Sequence, residues 1–305
     1  MADRAFSSPR RRATPGYPSR VARLGALLCG LLAADAIWAT AAPASDAASV
    51  STNWAGYVAA RSASGGSRFS SVSGSWTQSS ATCTNGRVAY SAAWVGLGGY
   101  SENASALEQV GTDADCSSSG HATYSAWYEL VPAGPVTVAL KVRPADKLTA
   151  SVTVRANHVT LRVRDLTTGK RFTTTKRVSK IDASSADWIV EAPSACLTAT
   201  SCTTLPLADF GTTLFSGATA TAAGHTGPIG DASWSATPLE LQQPASASAM
   251  SSAALRNSSS RTLTVATPSA PSAADGSFSV AWLQKSVQIE RPAAPTLPGF
   301  NGAAP

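Results

Sequence analysis

The sequence predicts an all-β protein in which two antiparallel sheets pack face to face. Nearly every legible segment alternates apolar and polar residues with period two. Short glycine-containing turns separate the segments, and neither a βαβ rhythm nor a long amphipathic helix interrupts them. With 305 residues, 14% charged and 44% hydrophobic, the chain suits one large β domain or two small ones.

The first element is not part of that domain. Arg10, Arg11, Arg12, Arg20 and Arg23 precede the apolar run Leu24 to Ala34, and the small-residue sites Ala39-Thr40-Ala41 and Ala42-Pro43-Ala44 follow. This is the pattern of a secretory signal peptide over residues 1–44. The run is shorter than the about 20 residues needed to span a bilayer. The expectation is an exported, extracellular protein with no stable membrane association.

The β domain is placed at residues 45–290, with a Pro-rich tail over 291–305 expected to be disordered. Val136, Val138, Leu140 and Val142 alternate with Thr137, Ala139, Lys141 and Arg143. Leu148 to Arg155 repeats the pattern, and Val159, Leu161 and Val163 carry it to a turn at Thr167-Thr168-Gly169-Lys170. Phe172 to Val178 then returns as a partner strand. In Ala186-Asp187-Trp188-Ile189-Val190-Glu191, one face holds Ala186, Trp188 and Val190 and the other Asp187, Ile189 and Glu191. By alternation alone, Glu191 lies on the solvated side of a half-buried strand. Leu263 and Val265 lead through a Pro- and Ser-rich loop and Asp275-Gly276 to Phe278, Val280 and Trp282.

The net charge of +6 is unevenly distributed. The leader accounts for most of it, and the remainder lacks the footprint of a nucleic-acid binder. Lys141 to Lys180 nevertheless holds eleven Lys or Arg against Asp146 and Asp165. Arg162 and Arg164 interleave with Leu161 and Val163, so these cations form either the solvent side of alternating strands or a surface for an anionic cell-wall partner. Besides Cys29 in the leader there are four cysteines, Cys83, Cys116, Cys196 and Cys202. An even set in an exported chain points to two disulfides, and spacing pairs Cys83 with Cys116 and Cys196 with Cys202. No Cys-x-x-Cys and no histidine at ligand spacing suggests a zinc site.

Several catalytic signatures are missing. Three histidines, His121, His158 and His225, stand outside any recognisable motif, and there is no Gly-x-Ser-x-Gly, His-Glu-x-x-His or Glu-x-Asp-x-Glu. What remains is a set of polar and aromatic residues on short strands: Trp94 and Gly98 in one segment, Gln109 in a second, and Ser125, Trp127 and Glu129 sharing a side of a third.

The stretches STNWAGYV (51–58), VSGSWTQ (72–78), AAWVGLGG (92–99), EQVGTD (108–113), YSAWYEL (124–130) and ADWIVE (186–191) occur in this order, and together they resemble the eqolisins, the glutamic peptidases. The resemblance implies a concanavalin-like β-sandwich with one sheet curved to form a substrate groove on its outer face. It makes Glu191 the catalytic glutamate, Gln109 its catalytic partner, and Trp94, Trp127 and Glu129 substrate-groove residues. It also implies a secreted endopeptidase for polypeptide substrates, expected to be monomeric and to work in acid without metal or cofactor. Two positions depart from the family pattern, Gly98 and Ser125, each where an aspartate is common. Fewer neighbouring carboxylates are expected to hold Glu191 near its ordinary pKa and to make the optimum less acidic.

Peptide hydrolysis needs a proton acceptor for water, a donor for the developing oxyanion and an acid for the leaving amine. Glu191 suits the first and last tasks and the Gln109 amide the second. Two rival readings use the same residues. A non-catalytic lectin would use Trp94 and Trp127 as sugar platforms, and a glycoside hydrolase would use Glu129 and Glu191 as acid and base.

Overall fold

The computed structural model describes residues 48–60, 68–101, 104–198, 201–244 and 262–283, so the leader and the tail lie outside the described residues. Among the described residues eighteen strands follow one another: β1 (Ser49–Ser51), β2 (Trp54–Ala60), β3 (Phe69–Thr77), β4 (Ala92–Gly98), β5 (Leu107–Cys116), β6 (Ala122–Val131), β7 (Val136–Val138), β8 (Lys147–Arg155), β9 (His158–Asp165), β10 (Arg171–Arg177), β11 (Ser185–Glu191), β12 (Ser194–Thr198), β13 (Ser201–Thr204), β14 (Thr212–Ala222), β15 (His225–Pro228), β16 (Ser235–Pro244), β17 (Thr262–Pro268) and β18 (Phe278–Trp282). No helix occurs among the described residues.

One hydrogen-bonded path runs β10-β9-β8-β3-β14-β18-β17-β16-β2-β11-β4-β5-β6-β7. Its two ends form the two layers expected from the sequence: β3, β8, β9 and β14 pack face to face against β4, β5 and β11. The layers are thus continuous through β18, β17 and β16 rather than two separate ladders. Pairing along this path is antiparallel, and β1 adds to β16 in parallel. β12 and β13 form a separate small sheet.

Period two explains the core. Ala186, Trp188 and Val190 of β11 and Ala93, Val95 and Leu97 of β4 enter one apolar cluster with Val72 and Trp76 of β3 and Leu148, Val152, Leu161 and Val163 of β8 and β9 from the opposite layer. Two indoles tie the layers together: Trp188 Nε1 donates to the Ser73 carbonyl at 2.8 Å, and Trp76 Nε1 to Thr112 Oγ1 at 3.0 Å. Gly74 is required by this packing, because a Cβ there would lie 2.9 Å from the Trp188 ring.

The strands expected around 148–155, 159–163 and 172–178 appear as β8, β9 and β10, with Gly169 at φ 72° in the turn. The alternation over 136–142 yields only the three-residue β7. Leu140 and Val142 are buried, but the Leu140 N–H turns back to the Val138 carbonyl at 2.8 Å instead of continuing a ladder. Both expected disulfides are present: Cys83–Cys116 fastens the segment before β4 to the end of β5, and Cys196–Cys202 closes the β12–β13 hairpin.

Candidate active site

The other face of the β2-β11-β4-β5-β6 layer carries the candidate site, and strand register aligns its residues in three rows. The first reads Val58, Asp187, Gly96, Gln109, Glu129; the second Gly56, Ile189, Trp94, Gly111, Trp127; the third Trp54, Glu191, Ala92, Asp113, Ser125. A second apolar cluster, comprising Trp54, Val58, Ala92, Trp94, Leu107, Trp127, Ile189 and Leu239, covers this face. The face pointing away from the core is therefore itself largely buried. Glu191 lies on the polar side of β11, as its alternation indicates, but not in open solvent.

Glycine makes the face possible. Trp94 lies across it, and a Cβ on Gly111 would sit 2.5 Å from the Trp94 Cβ, while one on Gly96 would sit 2.9 Å from the edge of the Trp94 ring. With those Cβ atoms absent, Trp94 meets Trp54 edge-on at 5.0 Å and its Nε1 donates to Glu191 Oε2 at 2.8 Å. Asn53 Nδ2 donates to Glu191 Oε1 at 3.1 Å, and Asn53 is in turn held by Ser51, whose hydroxyl donates to Asn53 Oδ1 at 3.2 Å. Both carboxyl oxygens of Glu191 are thus fixed. Burial pushes its carboxyl up to about 7 and the charge of Glu129 adds to the rise, while the hydrogen bonds from Trp94 and Asn53 pull the other way.

That value overturns the expectation that Glu191 stays near its ordinary pKa. Missing carboxylates lessen like-charge repulsion, but desolvation dominates on this face. One of the two absent carboxylates is also replaced. Gly98, at φ 81°, lies against Asp182, where a Cβ would come within 2.4 Å of the Asp182 carbonyl oxygen, and Asp182 Oδ2 accepts from Gly99 N at 3.1 Å. At the other, Ser125 Oγ donates to Asp113 Oδ2 at 2.8 Å.

Gln109 Nε2 donates to Glu129 Oε2 at 2.6 Å, leaving the second Nε2 hydrogen uncommitted and Gln109 Oε1 buried without a partner. Burial raises the Glu129 carboxyl, and the Gln109 amide opposes that rise. The indole nitrogens of Trp54 and Trp127 and Asp187 Oδ1 are also buried and unpaired. Buried polar atoms are almost always paired, so these unpaired ones set this face apart from the apolar core. Trp94 is fully buried and Trp127 nearly so, which leaves neither ring as an open platform.

Sequence reasoning did not single out Asn53, Trp54, Asp113 or Asp187. All four lie inside the segments that carried the resemblance, and Asp113 and Asp187 share strand parity with Gln109 and Glu191. Burial drives the Asp113 carboxyl to about 7, with Asp115 contributing, and holds Asp187 well above its ordinary value. No group of three or more His, Cys, Asp or Glu suited to a metal ion occurs among the described residues.

Solved structures share this fold. A scytalido-glutamic peptidase bound to a transition-state analogue inhibitor superposes with TM-score 0.58 at 21% identity, covering 77% of this chain and 100% of that one. SCP-B, described as a member of the eqolisin family and solved with the tripeptide Ala-Ile-His, gives 0.57 at 21% identity with the same coverage. No curated protein matches the chain. The Peptidase A4 family model matches residues 52–265, from the segment that holds Asn53 through Glu191 to β17, and the chain belongs to that family.

Proposed function

We propose that this glutamic endopeptidase hydrolyses peptide bonds with Glu191 as general base and then general acid, and Gln109 as the group that holds water and stabilises the oxyanion. The pairing of a fixed, buried Glu191 with a Gln109 amide whose oxygen and second N–H are uncommitted carries this reading. Water, accepted by Gln109 Oε1, attacks the scissile carbonyl carbon and gives a proton to Glu191. The oxyanion takes a hydrogen bond from the free Nε2 hydrogen. The carbon–nitrogen bond then breaks as Glu191 returns its proton to the leaving nitrogen, and the carboxylate is regenerated.

Glu129 orients the Gln109 amide, and Trp94 and Asn53 orient Glu191. With Glu191 at about 7, its ionised fraction falls about tenfold per pH unit below that value. Activity is therefore expected in mild rather than strong acid. Trp127 lines the same face and is a candidate substrate contact through its free Nε1. The protein is proposed to be exported as a monomer after loss of residues 1–44.

Buried tryptophans suit a lectin's sugar platforms poorly, and the Glu129 carboxylate is held by an amide rather than free to act with Glu191. The test is Glu191→Gln, assayed on casein and on polysaccharides. Casein turnover should fall by ~10²–10⁴ with the fold intact by circular dichroism. A folded variant retaining more than about a tenth of wild-type turnover, well outside that range, removes Glu191 from the role of base, and release of sugars by the wild type would favour the glycosidase.

A further inference from the structure

We propose that the outer face of the β10-β9-β8-β3-β14 layer is a docking surface for a linear acidic polysaccharide. The register brings cations and hydroxyls onto that face together. Arg164 lies between Arg171 and Thr149, Arg162 between Thr173 and Ser151, Thr160 between Thr175 and Thr153, and His158 between Arg177 and Arg155. The rows continue as Ser75, Ser73 and Ser71 on β3, then Ser216, Thr219 and Thr221 on β14.

Arg155, Arg162, Arg164, Arg171, Arg177 and Lys147 are all exposed, and the outward positions of these five strands carry no carboxylate. Among the described residues the one ion pair, His225–Asp231, lies beyond the five strands, where β15 pairs with the end of β14. The two nearby aspartates are turned inward: Asp146 is buried and accepts from Arg143 N, and Asp165 is buried and caps the turn at Thr167 and Thr168.

Arg164 and Arg171 stand directly opposite each other, an arrangement that costs stability when no anion lies between them. Along β9, Arg162 and Arg164 are about 6.7 Å apart, and neighbouring strands are about 4.8 Å apart. Charges therefore recur on the scale of sugar units. Between them the hydroxyls already bond one another, as in Ser73–Thr219 at 2.8 Å, Thr160–Thr175 at 2.9 Å and Ser71–Thr153 at 3.2 Å. A hydroxyl ladder punctuated by arginine complements a polymer of hydroxyl-bearing units punctuated by carboxylate, for which guanidinium supplies paired donors.

Other polyanions fit less well. The outward positions hold no Phe, Tyr or Trp, and the one imidazole, His158, sits at the end of the ladder, too little for the bases of a single strand to stack along it. They offer no helix or protruding ribbon for a duplex groove and no apolar stripe to enter a bilayer. Docking through this layer leaves the opposite layer, with Glu191 and Gln109, uncovered.

The test is binding of the full chain to polygalacturonate, with neutral dextran, duplex DNA and anionic phosphatidylserine vesicles alongside. Polygalacturonate should bind best and dextran not at all, and affinity should fall at least about tenfold between about 50 and 200 mM salt, as for any contact made by several ion pairs. The triple variant Arg162→Gln, Arg164→Gln, Arg171→Gln should lose about two orders of magnitude in affinity while keeping wild-type casein turnover and melting temperature. If that variant fails to fold, Arg155→Gln with Arg177→Gln at the other end of the ladder should give a smaller loss of the same kind. Failure of the wild type to bind polygalacturonate, unchanged binding in a folded variant, or tighter binding to DNA or vesicles overturns the proposal.

Discussion

The two outer faces of the sandwich follow the same alternation and have opposite chemistry. The face of β2, β11, β4, β5 and β6 carries Asp113, Asp115, Glu129, Asp187 and Glu191, no Lys or Arg, and a cover of tryptophan. The face of β10, β9, β8, β3 and β14 carries six exposed cations among serines and threonines, and no carboxylate. Period two decides which residues turn outward, but not whether outward means wet. On the first face, bulky neighbours withdraw the carboxyls from water, and desolvation lifts Asp113 and Glu191 to about 7 and Asp115 to about 6. On the second, the long charged side chains are exposed to solvent.

The largest test of that contrast sets one residue from each face side by side. Glu191→Gln is expected to reduce casein turnover by ~10²–10⁴, and Arg164→Gln to leave it unchanged. Equal losses would dissolve the distinction between a reacting face and a docking face.

Gln109→Glu probes the first face more finely. It removes the uncommitted amide donor, worth on the order of 10²–10³ in rate, and sets a third carboxyl beside Glu129 and Glu191, where like charges resist joint ionisation. Turnover should collapse near neutral pH and partly return in acid, where a protonated carboxyl donates in place of the amide. A profile with the wild-type shape, merely scaled down, would argue against this reading.

Stability should depend on pH through the buried carboxyls. Glu108, between β4 and β6, is raised from 4.5 to about 8, chiefly by burial, and Asp113 from 3.8 to about 7. Folding favours their protonated forms. Their contribution is thus fully present below the ordinary values and is lost as pH rises through the raised ones. Melting temperature should fall from about pH 4 to pH 8, and Glu108→Gln, which cannot ionise, should flatten the upper part of that fall. A melting temperature that climbs over this range would contradict the assigned directions.

The smallest expected effect concerns Asn53→Ala. It removes a donor to the ionised Glu191, so the Glu191 carboxyl should rise further and turnover in mild acid should drop roughly tenfold, in keeping with a hydrogen bond to a charged group. The acid limb of the pH profile should move upward with little change in the plateau. A uniform loss at every pH would mean that Asn53 holds the shape of the site rather than the charge of Glu191.

By itself the sequence determined the strand class, the two disulfide pairs and the side of each strand on which Glu191, Gln109 and Glu129 lie, because alternation and cysteine spacing are local properties of a chain. It also carried six ordered segments whose likeness to a family points to the candidate site. Only the tertiary structure decided that Trp94 could pack against Gly96 and Gly111 and reach Glu191. It alone brought Asn53 to a carboxylate 138 residues away, filled the position beside Gly98 with Asp182, and buried the polar side of β11. Those outcomes depend on which strands become neighbours, and desolvation is set by what neighbours cover. A pattern of period two contains the direction of a side chain but not the thickness of what lies above it.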